Sequence, residues 1–245
     1  GGVVRLHAHH LQLNPLTGAV GAVGATARNA GELILSATQA IDIAGRGAKG
    51  ESALPVDVKL GGFERTVLDT GDLRFVAGAY SEGGTDYDDP QLRATLDVGG
   101  ALEIKAAQVY PATAVTARIN SDHSITVRGN GSAAAPLSAG GSLTLNAPVI
   151  EQDGVLRAPF GQIALNAGER LTLGTNSLTS VSGAGLDVLY GSLRNAEYWL
   201  DPANPQGRNR ANAGDASSLD ENRYLSSLPE KRLLLQAPDV AMAAG

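Results

Sequence analysis

The sequence predicts an all-β fold, a parallel β-helix with one long loop insertion, and three observations predict it. A short pattern of Gly, any, Leu/Ile, any, Leu/Ile/Phe, any, Ala recurs along the 245 residues. Its apolar residues alternate at period two over only three to six positions, which is the mark of short strands with one buried side. Gly, Asn, Asp and Pro fill the intervals and supply turns. Composition agrees: 31 Gly and 11 Pro stand beside one Trp, three Phe and six Tyr, a poor inventory for an aromatic-packed helical enzyme.

The elements follow in chain order. The repeat occurs as Gly31-Glu32-Leu33-Ile34-Leu35-Ser36-Ala37, Gly71-Asp72-Leu73-Arg74-Phe75-Val76-Ala77, Gly100-Ala101-Leu102-Glu103-Ile104-Lys105-Ala106, Gly141-Ser142-Leu143-Thr144-Leu145-Asn146-Ala147 and Gly161-Gln162-Ile163-Ala164-Leu165-Asn166-Ala167. A sixth copy, Lys231-Arg232-Leu233-Leu234-Leu235-Gln236-Ala237, lacks the leading Gly. Between the copies lie Ile41-Asp42-Ile43, Ile125-Thr126-Val127 and Leu171-Thr172-Leu173, alternations of the same kind. The step from Leu143 to Ile163 encloses a strand, a bend and a second strand, the spacing of coils rather than hairpins. A hairpin sandwich needs tight Asn-Gly or Asp-Gly turns between longer strands, and Asp153-Gly154 and Asn130-Gly131 are too few to supply them. Stacked at the ~4.8 Å strand spacing, about nine coils make a rod on the order of 45 Å long. Leu33, Leu35, Leu102, Ile104, Leu143, Leu145, Ile163 and Leu165 are expected in one continuous core.

Two stretches break the rhythm. Tyr80 to Pro90 is acidic and Gly-rich and reads as a projecting loop. The stretch from Ser192 to Leu228, with the single Trp, lacks the alternating apolar side that a coil requires. The chain therefore divides into a β-helix shaft over 1–191, an extra-solenoid insertion over 192–228 and a return to the β-helix over 229–245.

Bulk properties narrow the function classes. A hydrophobic fraction of 43% is too high for a disordered chain, and no apolar run approaches the ~18 residues of a membrane helix. The net charge of −6 comes without a basic block, so nothing provides a footprint for nucleic acid or an anionic membrane. With no cysteine, disulfides, thiolate metal sites and Cys nucleophiles are excluded together. The ends, Gly1-Gly2-Val3 and Ala243-Ala244-Gly245, read as those of a piece cut from a longer protein.

The run from Gly141-Ser142-Leu143 through Asp153-Gly154-Val155-Leu156-Arg157-Ala158-Pro159-Phe160-Gly161-Gln162-Ile163, continued by Leu171-Thr172-Leu173, Ser180-Val181-Ser182-Gly183, Trp199 and Leu228-Pro229-Glu230-Lys231-Arg232-Leu233, resembles the large filamentous haemagglutinin-like exoproteins of Gram-negative bacteria. The likeness covers 141–191 and 228–240 and is compositional before that. It implies a right-handed parallel β-helix, two-partner secretion through an outer-membrane transporter, and a place on the cell surface or outside it. It also implies a role in adhesion, biofilm or contact-dependent competition, with a surface glycan or protein of a host or bacterium as partner. Asn14-Pro15-Leu16-Thr17-Gly18 is only a faint echo of the family's secretion domain, so the chain reads as shaft.

His7 and His9 would share one side of a strand, with His10 beside them, but no carboxylate is near in sequence and solvated outward-facing imidazoles are the default. Asp86, Asp88 and Asp89 supply oxygen ligands of the kind calcium takes, without matching a known calcium loop; a solvated acidic loop is the plainer reading. Tyr198, Trp199, Tyr224 and Arg194 suit stacking on a sugar ring or a partner surface, against the plainer role of Trp199 as local packing. No catalytic residue, metal or cofactor is assigned. The expectation is a non-catalytic structural or adhesive segment of a secreted exoprotein, whose isolated form associates end to end through its cut sheet edges. Two alternatives stay open: a β-helix carbohydrate-active enzyme, a lyase or hydrolase using paired carboxylates, and the stalk of a contact-dependent toxin-delivery exoprotein.

Overall fold

Each short alternating segment has one apolar side to bury, and the neighbour that buries it is the next turn of the same chain. The computed structural model describes residues 2–14, 31–46, 56–79, 93–113, 115–187, 192–194, 198–200 and 230–243. Among them lie sixteen strands and no helix: β1 (Val3–Leu13), β2 (Glu32–Arg46), β3 (Val56–Leu60), β4 (Arg65–Ala79), β5 (Arg93–Val98), β6 (Ala101–Pro111), β7 (Thr116–Ser121), β8 (Ser124–Gly129), β9 (Ser142–Asp153), β10 (Val155–Arg157), β11 (Gln162–Leu173), β12 (Leu178–Ser180), β13 (Ser192–Arg194), β14 (Tyr198–Leu200), β15 (Arg232–Gln236) and β16 (Asp239–Met242). All but β13 and β14 belong to one sheet, in which neighbouring strands run parallel. The molecule is a parallel β-helix.

The registers sort the strands into three faces. Residues 3–8, 32–37, 65–70 and 101–106, then β8, residues 149–153 and 170–173, and β16 stack as the first face. Residues 10–13, 40–44, 72–75 and 108–111, followed by β10 and β12, form the second. The third consists of β3, β5, β7, residues 142–147 and 162–167, and β15. Long strands such as β6 and β11 bend at a corner and so serve two faces in succession. The first face has eight levels among the described residues, roughly 34 Å at the usual strand spacing. That is one fewer than an even reading of the repeats suggests, because connections such as 130–141 use chain that even spacing assigns to another coil.

All eight residues expected in the core are buried in one continuous cluster. The repeat does not mark a single stack, however. Leu33, Leu35, Leu102 and Ile104 point inward from the first face, whereas Leu143, Leu145, Ile163 and Leu165 point inward from the third. Alternation dictates which side chains turn inward but not the face from which they do so.

Corners need close backbone approach. At the corner from the second to the third face, a Cβ added to Gly161 would overlap the carbonyl oxygen of Gly141, and Phe160 sits in the left-handed region at φ 56°. Only glycine lets the two turns stack there. One coil departs from the three-face rule: after β8 the chain skips the second face, crosses residues 130–141 and enters β9 directly. Val109 of β6 and Leu156 of β10 consequently pair across the gap. At both described ends the inward rows run out into solvent, with Leu6 52% and Met242 67% exposed.

Candidate functional site on the outward rows

Because the strands of the solenoid sheet run parallel, equivalent outward side chains stand one above another at each level and form rows along the rod. On the first face the rows alternate in charge. Arg65 links Glu32 (2.6 Å) to Glu103, and Glu103 also faces Lys105 and Arg128, each at 3.7 Å. Arg128 continues to Glu151 at 3.9 Å. On the third face Asn166 donates to Asn146 (2.9 Å), Asn146 to Asn120 (2.7 Å) and Asn120 to Asp97 (2.6 Å), a ladder of amides ending on a carboxylate.

The second face carries a cluster of titratable groups centred on Asp42. Asp42, buried on β2, accepts two hydrogen bonds from Arg74 of β4, from Nε at 2.6 Å and Nη2 at 2.7 Å, and pairs with His10 Nε2 at 2.8 Å. Tyr110 of β6 is the next residue in the row. The hydrogen bond to Asp42 holds the Arg74 guanidinium above its ordinary pKa despite partial burial. Burial likewise raises the Tyr110 hydroxyl, with Asp72 adding to that push and Arg74 opposing it. A fork of two N–H bonds on one carboxylate fixes both partners. Asp42 thereby ties β2 to β4 through Arg74.

His7, His9 and His10 lie on β1, which has a register shift between Ala8 and His10. This bulge turns His9 and His10, neighbours in sequence, both to the outer side. Each reaches a different residue of the next coil: His7 Nδ1 to Ser36 Oγ at 2.9 Å, His9 Nδ1 to Thr38 Oγ1 at 2.8 Å, and His10 to Asp42. Ser36 Oγ also lies 3.2 Å from the Leu6 carbonyl, and where its proton is donated there, His7 Nδ1–H is the donor toward Ser36. The imidazoles diverge instead of converging on a point, and among the described residues no three His, Asp or Glu side chains could hold a metal ion.

The residues singled out for partner contact are brought together only in part. Arg194 and Tyr198 pair across an antiparallel ribbon of β13 and β14, as do Leu193 and Trp199, separate from the solenoid sheet. Tyr224, Asp86, Asp88 and Asp89 lie outside the described residues. The Asp42–Arg74–Tyr110 row is absent from the sequence reading because its members are more than thirty residues apart along the chain. Their shared outward position, one residue after an inward Ile41, Leu73 or Val109, is the signal that could have found it.

No protein-family model matches the chain, and searches of curated proteins and of solved structures return no similar protein.

Proposed function

We propose that this chain is a non-catalytic shaft segment of a large secreted exoprotein of the filamentous haemagglutinin-like type, acting as a scaffold for adhesion. One observation carries the reading. The described strands spend their outward polar groups on partners in neighbouring rungs: Arg65 on Glu32 and Glu103, Arg74 on Asp42, Asn146 on Asn120 and Asn166 on Asn146. A rod whose outward polar groups are committed to holding its own rungs together is built as a scaffold. In this reading the parent protein crosses the outer membrane through a dedicated transporter, resides at the bacterial surface or outside the cell, and contacts a glycan or protein on another surface. The exposed inward rows at Val4, Leu6, Val240 and Met242 favour end-to-end association of the isolated chain.

A direct test offers the purified chain acidic and neutral polysaccharides, following both retention and chain length. The proposal expects retention without shortening. Release of new reducing ends would replace it with the carbohydrate-active enzyme reading. Association is checked by sedimentation over a concentration series, where a strict monomer at all concentrations would refute end-to-end stacking.

A further inference from the structure

The connection that skips the second face begins with Asn130-Gly131, the one Asn-Gly pair in the chain. Asn130 follows directly on β8 and is exposed, as are Gly131 and Ser132. Its amide acts as a clip: Nδ2 donates to Asp69 Oδ1 at 2.8 Å and reaches the Thr70 carbonyl at 3.5 Å, while its backbone N–H donates to the Ala106 carbonyl at 3.0 Å. The side chain thus spans from the end of β8, across β6, to β4 two levels away. Gly131 is unhindered, since an added Cβ would meet nothing within 4 Å, and its φ of +112° belongs to a conformation that glycine adopts freely. None of the loop's backbone hydrogen bonds among the described residues uses the Gly131 N–H.

We propose that Asn130 is a self-modification site, at which succinimide formation converts the amide clip into a carboxylate. The Gly131 backbone nitrogen, losing its proton to hydroxide or a buffer base, attacks Cγ of Asn130. A C–N bond forms, the Cγ–Nδ2 bond breaks, and ammonia leaves with a proton from solvent. Water then opens the cyclic imide at either carbonyl, giving aspartate or, with the main chain rerouted through the side-chain carbon, isoaspartate. No oxidant or enzyme is required. The glycine makes the attack accessible because no side chain at the next residue obstructs the backbone nitrogen.

The product has no donor for Asp69, and two carboxylates then face each other where a 2.8 Å hydrogen bond stood. The near end of the 130–141 connection loosens. Its far end keeps three other anchors: Gln108 Nε2 on the Ala134 carbonyl (3.1 Å), Ser138 Oγ on the Pro111 carbonyl (2.6 Å) and Gly140 N–H on the Pro159 carbonyl (3.0 Å). The modification therefore acts locally, as an irreversible, time-dependent release of one side of the strap that crosses the missing rung.

The experiment incubates the intact chain at mildly alkaline pH and follows residues 129–141 by peptide mass mapping and by hydrogen exchange. A free peptide with the same Asn-Gly sequence and the Asn130→Gln and Asn130→Asp variants serve as comparators. Expected are replacement of NH by O at residue 130, more than at any other asparagine, with ammonia released in step. Faster exchange at 130–133 should grow in proportion and be present from the start in Asn130→Asp, while Asn130→Gln shows neither change. Conversion of the free peptide but not of the folded chain would overturn the proposal, since the clip would then be protecting the amide. Conversion with unchanged exchange would overturn the release.

Discussion

Leu145→Ala tests the solenoid core at its centre. Leu145 is fully buried on the third face, in register with Ile119 on one side and Leu165 on the other. Truncation removes a buried isopropyl group between two apolar neighbours that are fixed by their own ladders, so the cavity collapses little and the cost should be about 2–5 kcal/mol. Leu235 occupies the same inward row at the last described level, next to Leu165, but is 38% exposed. Burying a whole leucine side chain is worth roughly 1.5–3 kcal/mol, so Leu235→Ala should cost about 1–2 kcal/mol with little cavity contribution. Thr144→Ala points outward and should stay within about 0.5 kcal/mol of wild type. At ~2–4 °C per kcal/mol for a chain of this size, the three variants should fall in order, Leu145→Ala lowest, then Leu235→Ala, then Thr144→Ala. Melting followed by sheet circular dichroism at more than one scan rate gives the comparison. A Leu145→Ala shift no larger than that of Thr144→Ala, or smaller than that of Leu235→Ala, would refute the inward row.

Three further outcomes follow from the corners and ladders. Gly161→Ala forces a Cβ into the Gly141 carbonyl and should cost at least ~1–3 kcal/mol or prevent the coil from forming, visible as loss of exchange protection around 141–163; a wild-type melt would contradict the stacked corner. Asn146→Ala removes one donated and one accepted amide bond and should cost about 1–2 kcal/mol, whereas a neutral result would mean that water replaces the ladder. Tyr110 has a folded pKa above its unfolded value, so its contribution is complete below about pH 10 and is lost as pH rises through the folded value. Wild type should therefore lose more stability than Tyr110→Phe across that alkaline range, and parallel decline of the two would count against the buried hydroxyl.

The parallel coil architecture was legible because burial enforces period two on every strand, and Gly31, Gly71, Gly100, Gly141 and Gly161 punctuate the repeats. Two things were not legible. Period two carries no information about face, so Leu33 and Leu143 looked equivalent although they line different walls of the rod. The skipped rung after β8 was also hidden, since Ser132-Ala133-Ala134-Ala135 shows no feature that separates a bridging connection from an ordinary turn. The polar rows depend on register across coils of unequal length, from twenty residues between Asn146 and Asn166 to thirty-eight between Arg65 and Glu103. Side chains at such intervals meet only once the stacking is known.

The central claim is that the rod holds and the connecting segments recognise. Its most direct test replaces residues 188–229 with a short Gly/Ser linker and measures, on the same samples, melting and binding to arrayed surface glycans and to intact cells. The scaffold account expects an unchanged melt with binding reduced or lost, and Trp199→Ala to reproduce part of that loss. Collapse of the melt with the replacement, or full binding by the replaced chain, would contradict it.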